Sequence, residues 1–181
     1  MANFDYAIKI ILKHEGGLSD NPHDPGGLTN WGITIPFLTD FMCQKYLGHP
    51  APATREDIRN MTRDTAIQIY KDQVWDPNRY GELTNDQVGT KVFDVTVNMG
   101  EKWGETFAQQ SANRLGQSLV VDGQIGSKSI AAINLCDPNA FLVEYCKQQK
   151  ERYEQLVLHN PSLAVFLKGW LIRAAWPLNG E

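Results

Sequence analysis

The chain has 181 residues, a formal net charge of −4 and 42% hydrophobic residues. That length and apolar content suit one compact domain, or a domain with a small appended lobe. The acidic balance argues against a nucleic-acid-binding role, and no apolar run approaches the ~18 residues of a membrane span, so no stable membrane insertion is expected.

In chain order, apolar residues at Phe4, Ala7, Ile8, Ile11 and Leu12 define one face of a first helix, with Asn3 as its N-cap. Gly16 and Gly17 end it. The prolines and glycines between Leu18 and Gly27 predict an irregular loop, and Leu28 to Thr34 suits a short hairpin or β-like turn. Pro36 suits the first turn of a helix reaching about Leu47. Thr54 and Thr62 are candidate caps of the next helices, where Ile67, Tyr70 and Val74 share a face. Asp86 to Met99 reads as a central helix with Val88, Val92, Val95 and Met99 inward. Helices follow over Glu105–Leu115, Ser127–Leu135, Pro138–Leu158 and Ser162–Ala174, with a tight turn at Asp122-Gly123. The expected fold is mainly α. Its best internal seam lies near Gly116 to Gly126, dividing 1–115 from a shorter helical part, 116–181, that packs on it. Cys43, Cys136 and Cys146 form no metal-ligand spacing, and their odd number favours reduced thiols, with a Cys136–Cys146 bridge as the one option.

The segment His14 to Ile33 carries the strongest chemical signal. Glu15 sits where the apolar-faced helix gives way to glycines, Asp24 follows after eight residues, and Thr29 after four more. A carboxyl at the edge of a packed helix is partly desolvated and suited to proton donation, with Ile11, Leu12 and Leu18 as candidate apolar cover. A second carboxylate across a loop can support a cationic transition state or activate water, as glycoside hydrolysis requires.

The pattern Glu15-Gly-Gly, then Asp24-Pro-Gly-Gly-x-Thr29-x-x-Gly-Ile, resembles glycoside hydrolase family 108. The resemblance continues through Tyr70–Trp75, Phe93-Asp94, Asn98-Met99-Gly100, Asp122-Gly-Gln-Ile-Gly126 and Gly169–Arg173, and so spans nearly the whole chain. It implies a lysozyme-like fold with a short β-hairpin or loop lobe beside a cleft. It also implies a muramidase of the kind found in phage endolysins and some secretion systems, cutting the β-1,4 bond between N-acetylmuramic acid and N-acetylglucosamine. Glu15 is the matching catalytic glutamate, and the part 116–181 is expected to bind peptidoglycan. The eight-residue spacing from Glu15 to Asp24 also matches phage-type lysozymes, although Thr29 falls one position short of their pattern. On that basis Asp24 and Thr29 are candidates to hold the attacking water of an inverting reaction. The alternative role for Asp24 is an Asx-turn before Pro25.

Candidate substrate-binding residues are Trp31, in the motif loop, and the pair Asp94 and Asn98, four apart on one helix face. Asn98 can meet an N-acetyl group, with Asp94 orienting it. Tyr145, Tyr153 and Trp170 are further candidates to line the cleft. His14, His23, His49 and His159 form no His-Glu-x-x-His run, so no metal and no other cofactor is expected. The three cysteines lack a glycine-rich nucleophile context. The N-terminus lacks the features of a cleaved signal, so a holin-like export partner is expected for action in the periplasm or wall, with the protein itself monomeric. The rival reading is a non-catalytic wall-binding or secretion-accessory module on a lysozyme-like scaffold.

Overall fold

The computed structural model describes residues 1–20 and 27–178. Among these the chain is mainly helical, with a three-stranded antiparallel sheet in the order β1-β2-β3. Two compact units are present: Ile8–Pro77, and Met1–Ala7 with the chain from Asn78 onward. Residues 116–126 lie within the second of these.

Helix α1 (Phe4–Glu15) starts where the Asn3 side chain accepts the Tyr6 amide at 3.0 Å. Ala7, Ile8, Ile11 and Leu12 are buried, as the periodicity requires. Gly16 takes a φ of 70° and donates its amide to the Leu12 carbonyl, closing the helix directly after Glu15.

In the smaller unit, β1 (Ser19–Asp20), β2 (Leu28–Asn30) and β3 (Ile33–Thr34) form the sheet. Ser19 pairs with Thr29, so part of the stretch expected to be irregular is a short strand. Asp20 then takes the Arg55 guanidinium at 2.7 Å and Arg59 at 3.3 Å. The expected Pro36–Leu47 helix is broken. A 3-10 turn, Ile35–Phe37, precedes α2 (Asp40–Met42), which begins late because the Thr39 hydroxyl caps it. It widens into a π-helical turn, Cys43–Leu47, ended by Gly48 at φ 80°. Thr54 caps α3 (Arg55–Asn60) in a reciprocal box with Asp57, whose carboxyl those Thr54 bonds hold down to about 2. Thr62 caps α4 (Arg63–Tyr70), which also runs on as a π turn, Lys71–Trp75.

The larger unit is built around α5 (Asp86–Met99), whose residues Val88 to Thr96 are all buried. A helix enclosed on every side has no polar stripe, which explains its dense β-branched sequence. Gly100, at φ 90°, turns the chain straight into α6 (Glu101–Arg114), four residues earlier than expected. Helices α7 (Ser127–Asn134), α8 (Pro138–His159) and α9 (Ala164–Ala175) follow. Phe107 and Phe141 pack on Tyr145, and Phe4 and Tyr80 pack on Phe93. All three cysteines are free thiols, so the optional Cys136–Cys146 bridge is not formed.

Candidate active site and aromatic groove

The sheet of the smaller unit shapes the surroundings of Glu15. Asn30 pairs with Ile33, leaving Trp31 and Gly32 as a two-residue turn in which both have positive φ, 55° and 78°. Such turns match the twist of a hairpin, but a tryptophan in this conformation is strained. Two side chains hold the turn. The Tyr70 hydroxyl, from the buried end of α4, donates to the Trp31 carbonyl at 2.9 Å. The buried Asn30 amide donates to the carbonyls of Ile58, Arg59 and Met61 around the end of α3.

Gly32 is where this turn meets the end of α1. A Cβ on Gly32 would lie 2.5 Å from the Tyr70 hydroxyl, 2.8 Å from Glu15 Cγ and 2.9 Å from Glu15 Oε2. The half-buried Glu15 carboxyl and the Tyr70 hydroxyl therefore both crowd the bare face of one glycine. Of the apolar cover expected for Glu15, Ile11 and Leu12 are buried, but Leu18 is 55% exposed. The turn and Tyr70 stand beside Glu15 where Leu18 was expected. Thr29 lies on β2 between buried Leu28 and Asn30 and is itself half-exposed, on the opposite face of the strand. Trp31 is half-buried at the turn. Asp24 and His23 lie outside the described residues.

The larger unit carries a groove of about 290 Å³ whose lining includes Asn98, Trp103, Arg152, Tyr153 and Trp170. Asn98 is exposed at the end of α5, and its Oδ1 accepts the Tyr153 hydroxyl at 2.6 Å. Tyr153 is almost wholly buried; Gln149 donates to its oxygen at 3.1 Å, and its ring stacks on Trp170 at 5.0 Å. Trp170 also stacks with Phe166.

Two expected binding residues belong to the core instead. Asp94 is fully buried, and the Arg173 guanidinium holds its carboxylate with Nε 3.2 Å from both oxygens and Nη2 2.9 Å from Oδ1. It faces α9 rather than orienting Asn98. Tyr145 is also fully buried and donates to the Gly104 carbonyl at 2.9 Å, so it has no surface for a sugar. The motif Asp122–Gly126 is tied down by α6. Gln109 donates to Asp122 and the Gln124 carbonyl and accepts the amides of Asp122 and Gly123. Glu105 accepts the Ile125 amide at 2.6 Å.

The roles of Gly32 and Arg152 emerge only from the fold. Gly32 stood inside the quoted motif, and its spacing from Trp31 was a turn signal. Arg152 and Trp103 are too far apart in sequence for any local pattern to join them.

The glycosyl hydrolase 108 family model matches residues 8–100, slightly more than half of the chain. The chain belongs to that family. Within family 108 this chain is a lysozyme-like protein acting on peptidoglycan, and a predicted peptidoglycan domain matches residues 104–175. No curated protein matches. Among solved structures, Brucella abortus SagA is similar at 26% identity and a TM-score of 0.75, over 95% of this chain and 89% of that one.

Proposed function

We propose that this glycoside hydrolase is an N-acetylmuramidase, cutting the β-1,4 bond from N-acetylmuramic acid to N-acetylglucosamine, and that Glu15 is its general acid. The observation that carries this reading is the Glu15 carboxyl set against Gly32, at the junction of a helix end and a strained turn. A helix terminus and a pinned turn hold a side chain in one place, which proton transfer to a glycosidic oxygen needs. Glu15 protonates that oxygen, the bond to the anomeric carbon breaks with oxocarbenium character, and water adds. Either Asp24 or Thr29 is proposed to hold the water, giving inversion.

Trp31, Asn98 and Trp170 are proposed to meet the sugars, and Tyr153 acts through Asn98. Because the Tyr153 oxygen takes a hydrogen bond from Gln149, its own proton goes to Asn98 Oδ1. The Asn98 amide is thereby turned with its NH2 available to an acceptor such as an N-acetyl carbonyl. The reaction serves host lysis or passage of proteins through the wall, with a holin-like partner for export. The part from 116 onward retains the polymer.

Mass analysis of the fragments released from purified sacculi tests the bond. Fragments ending in reducing N-acetylmuramic acid are expected. Fragments ending in reducing N-acetylglucosamine, or free peptide stems, would contradict it.

A further inference from the structure

The groove of the larger unit offers hydrogen-bond donors and no paired acid. The Arg152 guanidinium lies 4.1 Å from the centre of the Trp103 ring, which is 37% exposed. Contact with the ring anchors the cation over the indole, and among the described residues no hydrogen-bond partner takes its N–H groups. Among the described residues no carboxylate pairs with it, whereas Lys150 and Arg114 on or against the same helix face Glu154 and Glu144. Asn98, lining the same groove, presents its NH2 for the reason given above. The two groups together favour a ligand with acceptor oxygens and negative charge.

We propose that Arg152 receives a free carboxylate of the peptide stem of peptidoglycan, making it a specificity-determining residue for stems with free carboxylates over stems whose carboxyls are amidated. This rests on the reading of the protein as a peptidoglycan hydrolase. The glycan backbone itself is uncharged apart from its lactyl groups, and these are amide-linked wherever a stem is attached. A planar guanidinium recognises a carboxylate through two parallel hydrogen bonds, which an ammonium cannot match.

The test compares cleavage of two substrates: sacculi cleared of phosphate polymers with hydrofluoric acid, and the same sacculi with their stem carboxylates converted to amides by carbodiimide and ammonia, which leaves every stem and glycosidic bond in place. The intact protein is expected to prefer the substrate with free carboxylates. Arg152→Ala should cut that preference in kcat/KM by about tenfold, chiefly through KM. Arg152→Lys should fall between the two. If the alanine variant does not fold, Arg152→Gln provides the charge-free comparison. Equal losses on both substrates, or an unchanged preference, would overturn the role of Arg152 while leaving the hydrolase reading intact. A preference present only before the hydrofluoric acid treatment would assign the site to wall phosphate and also overturn it. Cleavage of neither substrate by the unaltered protein would remove the hydrolase reading, and this inference with it.

Discussion

Gly32 concentrates two demands in one residue. Its φ of 78° disfavours any side chain, and its missing Cβ makes room for Glu15 and Tyr70. Gly32→Ala should therefore cost about 2–4 kcal/mol of stability from strain and overpacking. Activity should fall more steeply, about 100-fold or beyond, because the added carbon displaces the Glu15 side chain from its place. Gly48→Ala is the matched comparison: its φ is 80°, but nothing lies within 4 Å of the added carbon. It should cost about 1–2 kcal/mol and leave turnover intact, so thermal melts and initial rates on both variants separate strain from displacement. Glu105 yields a second prediction. It is buried, and burial raises its pKa to about 7 from an ordinary 4.5. The folded protein thus holds a proton that the unfolded chain has lost between those values. Stability should fall as pH rises from about 4.5 to 7 and level off above, by roughly 3 kcal/mol in all. Glu105→Gln can still accept from Ile125 and should raise the melting temperature at pH 8 far more than at pH 5. Equal shifts at both pH values would contradict this. The turn around Gly32 was legible in the sequence as Gly-punctuated hairpin chemistry. The crowding against Glu15 was not, since it joins residues from three elements.

Helix α5 explains why Asp94 and Asn98 part company despite sharing a face. Asp94 is deep enough in the unit to need a countercharge, and Arg173 near the end of α9 supplies it. Lys91, one turn earlier, donates to the Arg173 and Ala174 carbonyls at 3.0 and 3.3 Å, satisfying the C-terminus of the same helix. This pair locks α9 to α5. Asp94→Ala should leave Arg173 buried without its partner and cost about 3–5 kcal/mol, read as a drop in the denaturation midpoint. A loss under 1 kcal/mol with a large rise in KM would return Asp94 to the binding surface. Spacing alone placed both residues correctly on one face, but it does not report depth, which depends on what packs above each position. The caps at Asn3, Thr54 and Thr62 were legible because capping is local. The late start of α2 at Thr39 was hidden by Pro36, which serves a 3-10 turn as readily as an α-helix. The helix α5 was legible because its β-branched residues sustain no polar alternation, and the burial of Val88, Val92 and Val95 accounts for that dense apolar sequence.

At the scale of the molecule, the proposed chemistry lies in one unit, with Trp31 beside it, and the remaining proposed polymer contacts lie in the other. Glu15 and the strained turn belong to the smaller one, and the Asn98–Tyr153 relay with Arg152 belongs to the larger. Motif order made the family and the mainly α fold readable, because glycines and acids around Glu15 are constrained by a turn and a reaction at once. The groove was less readable, since its side chains come from α5, α6, α8 and α9 and meet only through packing. Tyr145 shows the same limit, since an aromatic on a long helix faces core or solvent according to its neighbours. Glu15→Gln isolates proton donation by Glu15, because the amide keeps size and shape but carries no acidic proton. The measurement is the rate of solubilisation of purified sacculi by the folded variant, verified by an unchanged circular dichroism melt. A loss of about 100- to 10,000-fold is expected. A folded Glu15→Gln protein that clears sacculi within a few-fold of the original rate would contradict that role.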